Sequence, residues 1–113
     1  MGSFEQGDVL RVPFPYTDQA TRQFRPALVV SSGQIGEDDA LVWVMTIASA
    51  ENRSWDDDIP FGERFAAAGL PAPSVIHPVK LATVEARHAE KIGVADAALT
   101  ARALAVLRRF TQV

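Results

Sequence analysis

Short apolar stretches separated by turn-forming residues run along most of the chain and predict a fold built mainly from strands. Residues 8–13 alternate between two sets of side chains, residues 24–31 contain an apolar run, and residues 40–47 are apolar almost throughout. Alternation is typical of a half-buried strand, and a continuous apolar run is typical of a strand buried on both faces. We therefore predict three strands here, the third buried on both faces.

The second half of the chain predicts shorter strands and a closing helix. Strands are expected near residues 58–60, at 74–77 and at 79–84, with a helical turn at 63–68. Pro78 is expected to separate two of these strands, and residues 85–92 are a candidate partner for them. Asp96 fits the N-cap of a helix from 97 to 110. The apolar stripe of that helix would consist of Leu99, Ala103, Val106, Leu107 and Phe110. The predicted fold is mainly β with short helices, a small β-barrel or strongly bent sheet covered by a C-terminal α-helix.

The composition sets the class of protein. A chain of 113 residues, 48% of them apolar, suits a single domain, residues 1–113, with one compact core. It contains no cysteine, which excludes disulfides and thiolate metal sites. Because the sequence has neither a charged-then-apolar leader nor an apolar run of about 18 residues, we expect a soluble, cytoplasmic protein.

Charge is unevenly distributed along the chain. The net charge of −3 argues mildly against nucleic acid as a partner. Residues 37–63, however, contain eight acidic residues and one basic residue, Arg53, so this segment carries −7 and the rest of the chain +4. A basic surface is therefore compatible with an acidic protein.

An arginine and a proline stand at the entrance of the second apolar run, where the sequence reads F-R-P-A-L-V-V-S-S (24–32). A residue that precedes proline is held extended, and proline is tolerated at the start or the edge of a strand. The pattern predicts a guanidinium held on the rim of the sheet. Arg25 there either forms an ordinary salt bridge, with an acid such as Asp18, or contacts phosphate oxygens, which a planar guanidinium matches well.

Several segments, taken in order, resemble the MazF/PemK toxin family, and its PemK-like branch in particular. The segments are G-D-V-L-R-V-P-F-P-Y-T-D (7–18), F-R-P-A-L-V-V-S (24–31), M-T-I-A-S (45–49), G-L-P-A-P-S-V-I-H-P-V-K-L-A-T-V (69–84) and K-I-G (91–93). They are followed by the predicted terminal helix. The resemblance therefore covers nearly the whole chain.

The resemblance implies an SH3-like barrel, a homodimer and the toxin half of a type II toxin–antitoxin pair. It implies metal-independent, cofactor-free, sequence-selective cleavage of single-stranded RNA, in which the ribose 2′-hydroxyl attacks the adjacent phosphate. The products would be a 2′,3′-cyclic phosphate and a 5′-hydroxyl, and an antitoxin segment lying across the RNA groove would silence the toxin. Carried over by position, the family's catalytic arginine is Arg25 and its threonine is Thr46. On residue type alone, Thr46 is an ordinary strand threonine.

His77 departs from the family pattern. Relatives commonly carry arginine at this position, some with an acid two residues later, where this chain has Val79. Histidine is the side chain best suited to proton transfer near neutrality, so we expect a catalytic His77. Two alternatives remain, a charged phosphate clamp that replaces the arginine and a structural histidine beside Pro78.

Other side chains are candidates for contact with RNA or metal. The predicted RNA-binding residues are Phe14, Tyr16, Thr17, Arg22, Arg53 and Lys80, and Arg11 and Arg87 are further phosphate-contact candidates. Residues 56–58 are all aspartate, which fits a solvated acidic loop better than a metal site. Trp55 is either a cover over the barrel or a base-stacking face, Trp43 is expected in the core, and His88 is expected to face solvent.

A non-catalytic binding module on the same fold is the alternative function, for instance a topoisomerase inhibitor like the structurally related CcdB toxins. Fold alone does not decide between the two. The presence of both Arg25 and Thr46 favours the enzyme, whereas His77 and Val79 weaken that case.

Overall fold

The computed structural model describes residues 3–15, 22–52 and 55–112. Within them, six strands form one antiparallel sheet: β1 (Asp8–Pro15), β2 (Arg22–Val29), β3 (Leu41–Ser49), β4 (Ile59–Pro60), β5 (Ser74–Glu85) and β6 (Glu90–Val94). Their order across the sheet is β4-β5-β3-β2-β1-β6, and the sheet curls into a half-barrel. Short 3₁₀ turns lie at Glu37–Asp39, Ala50–Asn52, Gly62–Phe65 and Ala86–His88, and helix α1 spans Ala97–Phe110. The predicted fold class is confirmed.

The two faces of the sheet support two clusters of buried side chains. Because successive strand residues point to opposite faces, neighbours such as Val9 and Leu10 belong to different clusters. The helix-side cluster contains, among others, Val9, Leu28, Met45, Ile47, Ile76, Leu99 and Ala103. The opposite cluster contains Leu10, Val12, Ala27, Val29, Val42 and Val44. Any residue of β1, β2 or β3 can therefore be assigned to a face from its position in the strand.

Helix α1 has the limits that the sequence predicts. The Asp96 side chain accepts a hydrogen bond of 2.8 Å from the Ala98 N–H, which satisfies one of the free donors of the first turn. Leu99 and Ala103 are buried against the sheet. Phe110, expected in the apolar stripe, is 59% exposed because it stands in the last helical turn, beyond the part that packs on the sheet.

The prediction that Trp43 is a core residue is wrong, since its side chain is 53% exposed. Trp43 lies on the helix side of the sheet, but α1 ends before it covers this corner. An open cavity of about 520 Å³ remains there, lined by Val30, Trp43, Leu81, Ala82, Thr83, Leu107 and Thr111. This corner of the molecule is therefore an exposed apolar surface.

The separation of two strands at Pro78 is also wrong, because β5 runs through the proline as one strand. The pairing of β5 with β3 is nevertheless interrupted there: Met45 pairs with Leu81 and the next residue, Thr46, pairs with His77. Residues 78–80 therefore have no partner on β3 and form a bulge. A bulge tolerates proline, which has no N–H to give to the ladder.

A close crossing of two glycines attaches the end of the sheet to the turn before β5. A Cβ atom placed on Gly69 would meet the carbonyl oxygen of Ile92, and one placed on Gly93 would meet that of Ala68, both well inside contact distance. Only glycine lets two backbones approach this closely. The crossing fixes β6, and with it the start of α1, relative to the rest of the fold.

Candidate functional site

The strand register brings Arg25, Thr46 and His77 to one face of the sheet. Thr46 of β3 is paired with Ala27 on β2 and with His77 on β5. Ala27 belongs to the cluster opposite the helix, and Arg25 stands two residues from it on the same strand. Since side chains two residues apart on a strand share a face, all three predicted catalytic residues lie on the face opposite α1.

Arg25 lies in the exposed part of β2, opposite Val12 of β1. Pairing with β3 begins only at Ala27, so Pro26 lies where β2 has β1 as its single partner strand among the described residues. Of the two positions that the sequence allows for this proline, the start or the edge of a strand, the structure has the second, since β2 begins at Arg22. The guanidinium of Arg25 donates a hydrogen bond of 3.4 Å to the Gln23 side-chain oxygen. A planar cation with five donors is thus held at the rim of the site.

Thr46 is half-buried and stands beside the bulge of β5. Its partners on the two adjacent strands are Ala27 of β2, which has a small side chain, and His77 of β5. The hydroxyl group therefore occupies the middle of the site, between the strand that carries Arg25 and the strand that carries His77. A neutral donor in that position can add a hydrogen bond to an anion held by the guanidinium.

His77 is 4% exposed and is paired with a buried carboxylate. Its Nδ1 atom lies 2.6 Å from Oδ1 of Asp58. Because a carboxylate accepts, Nδ1 carries the hydrogen of this bond, and Nε2 is left as the ring atom that can exchange a proton. This arrangement is compatible with proton transfer and also with a structural pair.

Asp58 is the residue of this site that sequence reasoning missed, because the expectation of a solvated loop is wrong at this position. Asp58 is 4% exposed, like the histidine that it contacts. Ile59, the first residue of β4, pairs with Ile76 of β5. Because the strands are antiparallel, Asp58, which precedes β4, falls opposite His77. The sequence signal was its place at the start of the short strand predicted at 58–60.

The turn before β4 connects Asp58 to an exposed tryptophan. Oδ2 of Asp58 accepts a hydrogen bond of 3.3 Å from the Trp55 N–H, and the Asp58 N–H donates to the Trp55 carbonyl at 3.1 Å. The Trp55 side chain is 48% exposed. Nζ of Lys80, which belongs to the bulge of β5, lies 5.4 Å from the centre of its ring.

The remaining predicted residues are only partly described. Phe14 lies in β1 and Arg22 in β2, both at the end of the hairpin where the chain passes from β1 to β2, and there Phe14 pairs with Gln23 and Pro15 with Arg22. Tyr16, Thr17 and Arg53 fall outside the described residues.

Two other basic candidates and the second histidine are exposed. The Arg11 guanidinium lies 4.2 Å from the centre of the Phe24 ring, on the face opposite Arg25. Arg87 pairs with Glu85 at 3.1 Å, and His88 is exposed as expected. In residues 3–15, 22–52 and 55–112, no three histidine, cysteine, aspartate or glutamate side chains are grouped so as to hold a metal ion.

Residues 5–111 match the family model described as PemK-like, MazF-like toxin of type II toxin-antitoxin system. The chain belongs to this family. The match spans both strands that carry the arginine and the threonine, the bulged β5 and the terminal helix. No curated protein matches the sequence.

Solved structures of this toxin family have the same fold. MazF of Deinococcus radiodurans (form I) superposes with a TM-score of 0.74 at 17% identity, covering 100% of both chains. Two MazE-MazF crystal forms from the same organism give TM-scores of 0.76 (form II) and 0.72 (form III) at 17% and 18% identity. The match to form II covers 100% of this chain and 99% of the Deinococcus chain, and the match to form III covers 94% of each. Among the described residues of this PemK-like chain, no helix is long and apolar enough to cross a membrane.

Proposed function

We propose that this type II toxin is an endoribonuclease that cleaves single-stranded RNA without a metal or cofactor. The observation that carries the proposal is the register that places Arg25, Thr46 and His77 on one face of the sheet. A rim guanidinium, a central hydroxyl and an imidazole held by a carboxylate supply charge stabilisation and proton transfer. Those are the two requirements of RNA cleavage by its own 2′-hydroxyl.

In the proposed reaction the ribose 2′-oxygen forms a bond to the adjacent phosphorus and the bond from phosphorus to the 5′-oxygen breaks. The 2′-hydroxyl loses its proton and the leaving 5′-oxygen gains one, giving a 2′,3′-cyclic phosphate and a 5′-hydroxyl. Arg25 stabilises the charge that builds on the non-bridging oxygens, because its guanidinium remains charged at all relevant pH values. Thr46 donates a further hydrogen bond to the same phosphate, and His77 exchanges a proton through Nε2.

The proposed RNA path follows the basic residues near this face. Lys80 in the bulge stands next to the paired residues Thr46 and His77, and Phe14 and Arg22 belong to the hairpin end beyond Arg25. Tyr16, Thr17 and Arg53 complete the proposed set from the sequence. Contacts to phosphates would set affinity, and contacts to bases would set the sequence that is cut.

We also propose a homodimer and an antitoxin partner for this chain. The two solved complexes to which it is similar contain MazE with MazF. The exposed apolar corner around Trp43 and Leu81 is the surface that we assign to the second copy, because an apolar patch at the end of a helix is stabilised by burial. The antitoxin would be acidic, disordered when free, and compete with RNA for the basic face.

Incubation of the pure protein with mixed-sequence RNA in EDTA tests the proposed activity. We expect fragments with 2′,3′-cyclic phosphate and 5′-hydroxyl ends that map to a common short sequence. Arg25→Ala protein, purified in the same way, controls for contaminating ribonucleases. Intact RNA in the wild-type reaction would refute the proposal and favour a non-catalytic toxin on this fold.

A further inference from the structure

Trp55 is an exposed aromatic side chain on a backbone that is already fixed. Half of its surface is open to solvent. Its N–H and its carbonyl are both hydrogen-bonded to Asp58, at 3.3 and 3.1 Å. The Asp58 side chain is in turn fully buried against His77. An aromatic ring on a fixed turn loses little conformational freedom when it contacts a ligand.

Two independent links place this ring beside the proposed cleavage site. Through the chain, the turn leads to Asp58, whose partner His77 is paired with Thr46. Through space, the ring lies 5.4 Å from Nζ of Lys80, and Lys80 ends the bulge that interrupts the pairing next to Thr46. The ring and the ammonium therefore form one surface at the edge of the site.

This surface has the chemistry of single-stranded nucleic acid recognition. A flat aromatic face stacks on any base, and an adjacent cation suits the phosphate that follows the base. The nearest acids do not abolish this match. Asp57 is paired with Arg109 at 3.5 Å, whereas Asp56, the residue that follows Trp55, is exposed. The exposed carboxylate disfavours a phosphate there and leaves the phosphate to Lys80.

From these contacts we infer that Trp55 and Lys80 form a nucleotide platform, in which Trp55 stacks on a base next to the cleaved phosphate and Lys80 binds the backbone of that nucleotide. This inference rests on the proposed ribonuclease function and adds to it a residue that determines where the RNA is held. It separates the two tryptophans of the chain by role, since Trp43 belongs to β3 and lines the apolar corner with Leu81 and Leu107, whereas Trp55 lies in the turn before β4 with Lys80 over its ring.

Tryptophan fluorescence distinguishes these roles, because the chain has two tryptophans and each can be replaced singly. In a non-cleaving Arg25→Ala background, Trp43→Phe leaves Trp55 as the only indole, and Trp55→Phe leaves Trp43. Titration with a single-stranded RNA that contains the mapped cleavage sequence, or a mixed-sequence RNA when none is mapped, should quench the first protein and leave the second unchanged. Quenching of Trp43 alone would overturn the inference.

A binding cycle with abasic RNA tests the stacked base itself. Trp55→Leu should weaken RNA binding by about 5- to 150-fold, the range for loss of one stacked base. Removing single bases along the RNA should cost the parent protein similar affinity at one position and cost Trp55→Leu nothing further there. Equal affinity of Trp55→Leu and parent, with an unchanged melting temperature, would overturn the inference.

The inference and the proposed function fail separately. If the wild-type protein leaves RNA intact but RNA still quenches Trp55, the platform stands and the ribonuclease proposal falls. If RNA is cleaved at a specific sequence but Trp55 is neither quenched nor needed for affinity, the ribonuclease proposal stands and the platform falls. If the wild-type protein neither cleaves nor binds RNA, both are wrong.

Discussion

Nδ1 of His77 and Oδ1 of Asp58 lie 2.6 Å apart, with both side chains almost completely withdrawn from solvent. The pair joins β5 to the residue that precedes β4, and its histidine is the β5 partner of Thr46. One hydrogen bond therefore links the stability of the sheet edge to the centre of the proposed active site. Substitutions of Asp58 and His77 can separate the contribution of this pair to stability from its contribution to the proposed activity.

Removing the carboxylate should destabilise the protein strongly. Asp58→Ala leaves a buried imidazole without its partner, and breaking a buried pair in this way costs about 3–5 kcal/mol. Asp56→Ala, two residues earlier and exposed, is the matched control and should change the free energy of unfolding by less than about 0.5 kcal/mol. Urea unfolding monitored by circular dichroism measures both. Equal stability of the two variants would contradict the buried pair.

Replacing the histidine should separate proton transfer from support. His77→Gln keeps an amide of similar size but cannot titrate, so we expect a rate loss of about 10²- to 10⁴-fold with RNA binding retained. If His77→Gln instead melts earlier while its folded fraction cleaves at the wild-type rate, the pair is purely structural. If His77→Arg instead improves RNA binding, the residue is a phosphate clamp.

Arg25→Ala should abolish cleavage while the protein stays folded, because the side chain is exposed at the rim of the sheet. Thr46→Val keeps the shape and removes the hydroxyl, so it should slow cleavage by about 10²-fold. Arg102→Ala removes an exposed arginine of helix α1, on the other side of the sheet, and is the control. Cleavage rates of a fluorescent RNA give all three values. Wild-type activity in Arg25→Ala would show that the site is elsewhere.

The proposed dimer surface can be tested with two equally exposed apolar residues at different places on the sheet. Leu81 of β5 lines the open corner beside Trp43, whereas Val94 ends β6 at the far edge, and each is 51% exposed. Leu81→Lys should produce a monomer at micromolar concentration, because a charge at the centre of an apolar interface is costly. Val94→Lys should leave the dimer intact. Sedimentation velocity decides, and a monomeric wild-type protein would refute the assignment.

The glycine crossing should make Gly93→Ala markedly destabilising. Its Cβ would meet the Ala68 backbone, which cannot move without shifting the turn, so we expect a loss of about 3 kcal/mol or more in the free energy of unfolding, at or above the upper end of the usual cost of overpacking. Gly62→Ala is the control, since no atom lies within 4 Å of its Cβ and only its φ of +62° opposes the change, at about 1–2 kcal/mol. Similar losses in both variants would argue against the close approach.

What the sequence predicted correctly is what depends on local pattern. The limits of α1 follow from the Asp96 cap and the spacing of apolar residues, both readable within one segment. The burial of Asp58 depends on a two-residue strand finding β5, and the exposure of Trp43 depends on where the helix ends over the sheet. Neither depends on the sequence near the residue itself. The local pattern therefore predicted an exposed Asp58, which is buried, and a buried Trp43, which is exposed.

The bulge at residues 78–80 has a consequence for variation of the site. Pairing with β3 is established independently on each side of it, by Leu81 on one side and His77 on the other. Residues can therefore be inserted into or deleted from this segment without sliding either half of β5 out of register, even when their number is odd. The length and side chains of residues 78–80 can therefore vary while His77 stays opposite Thr46. Under the proposed function, related chains could differ in the RNA that they bind at little cost to folding.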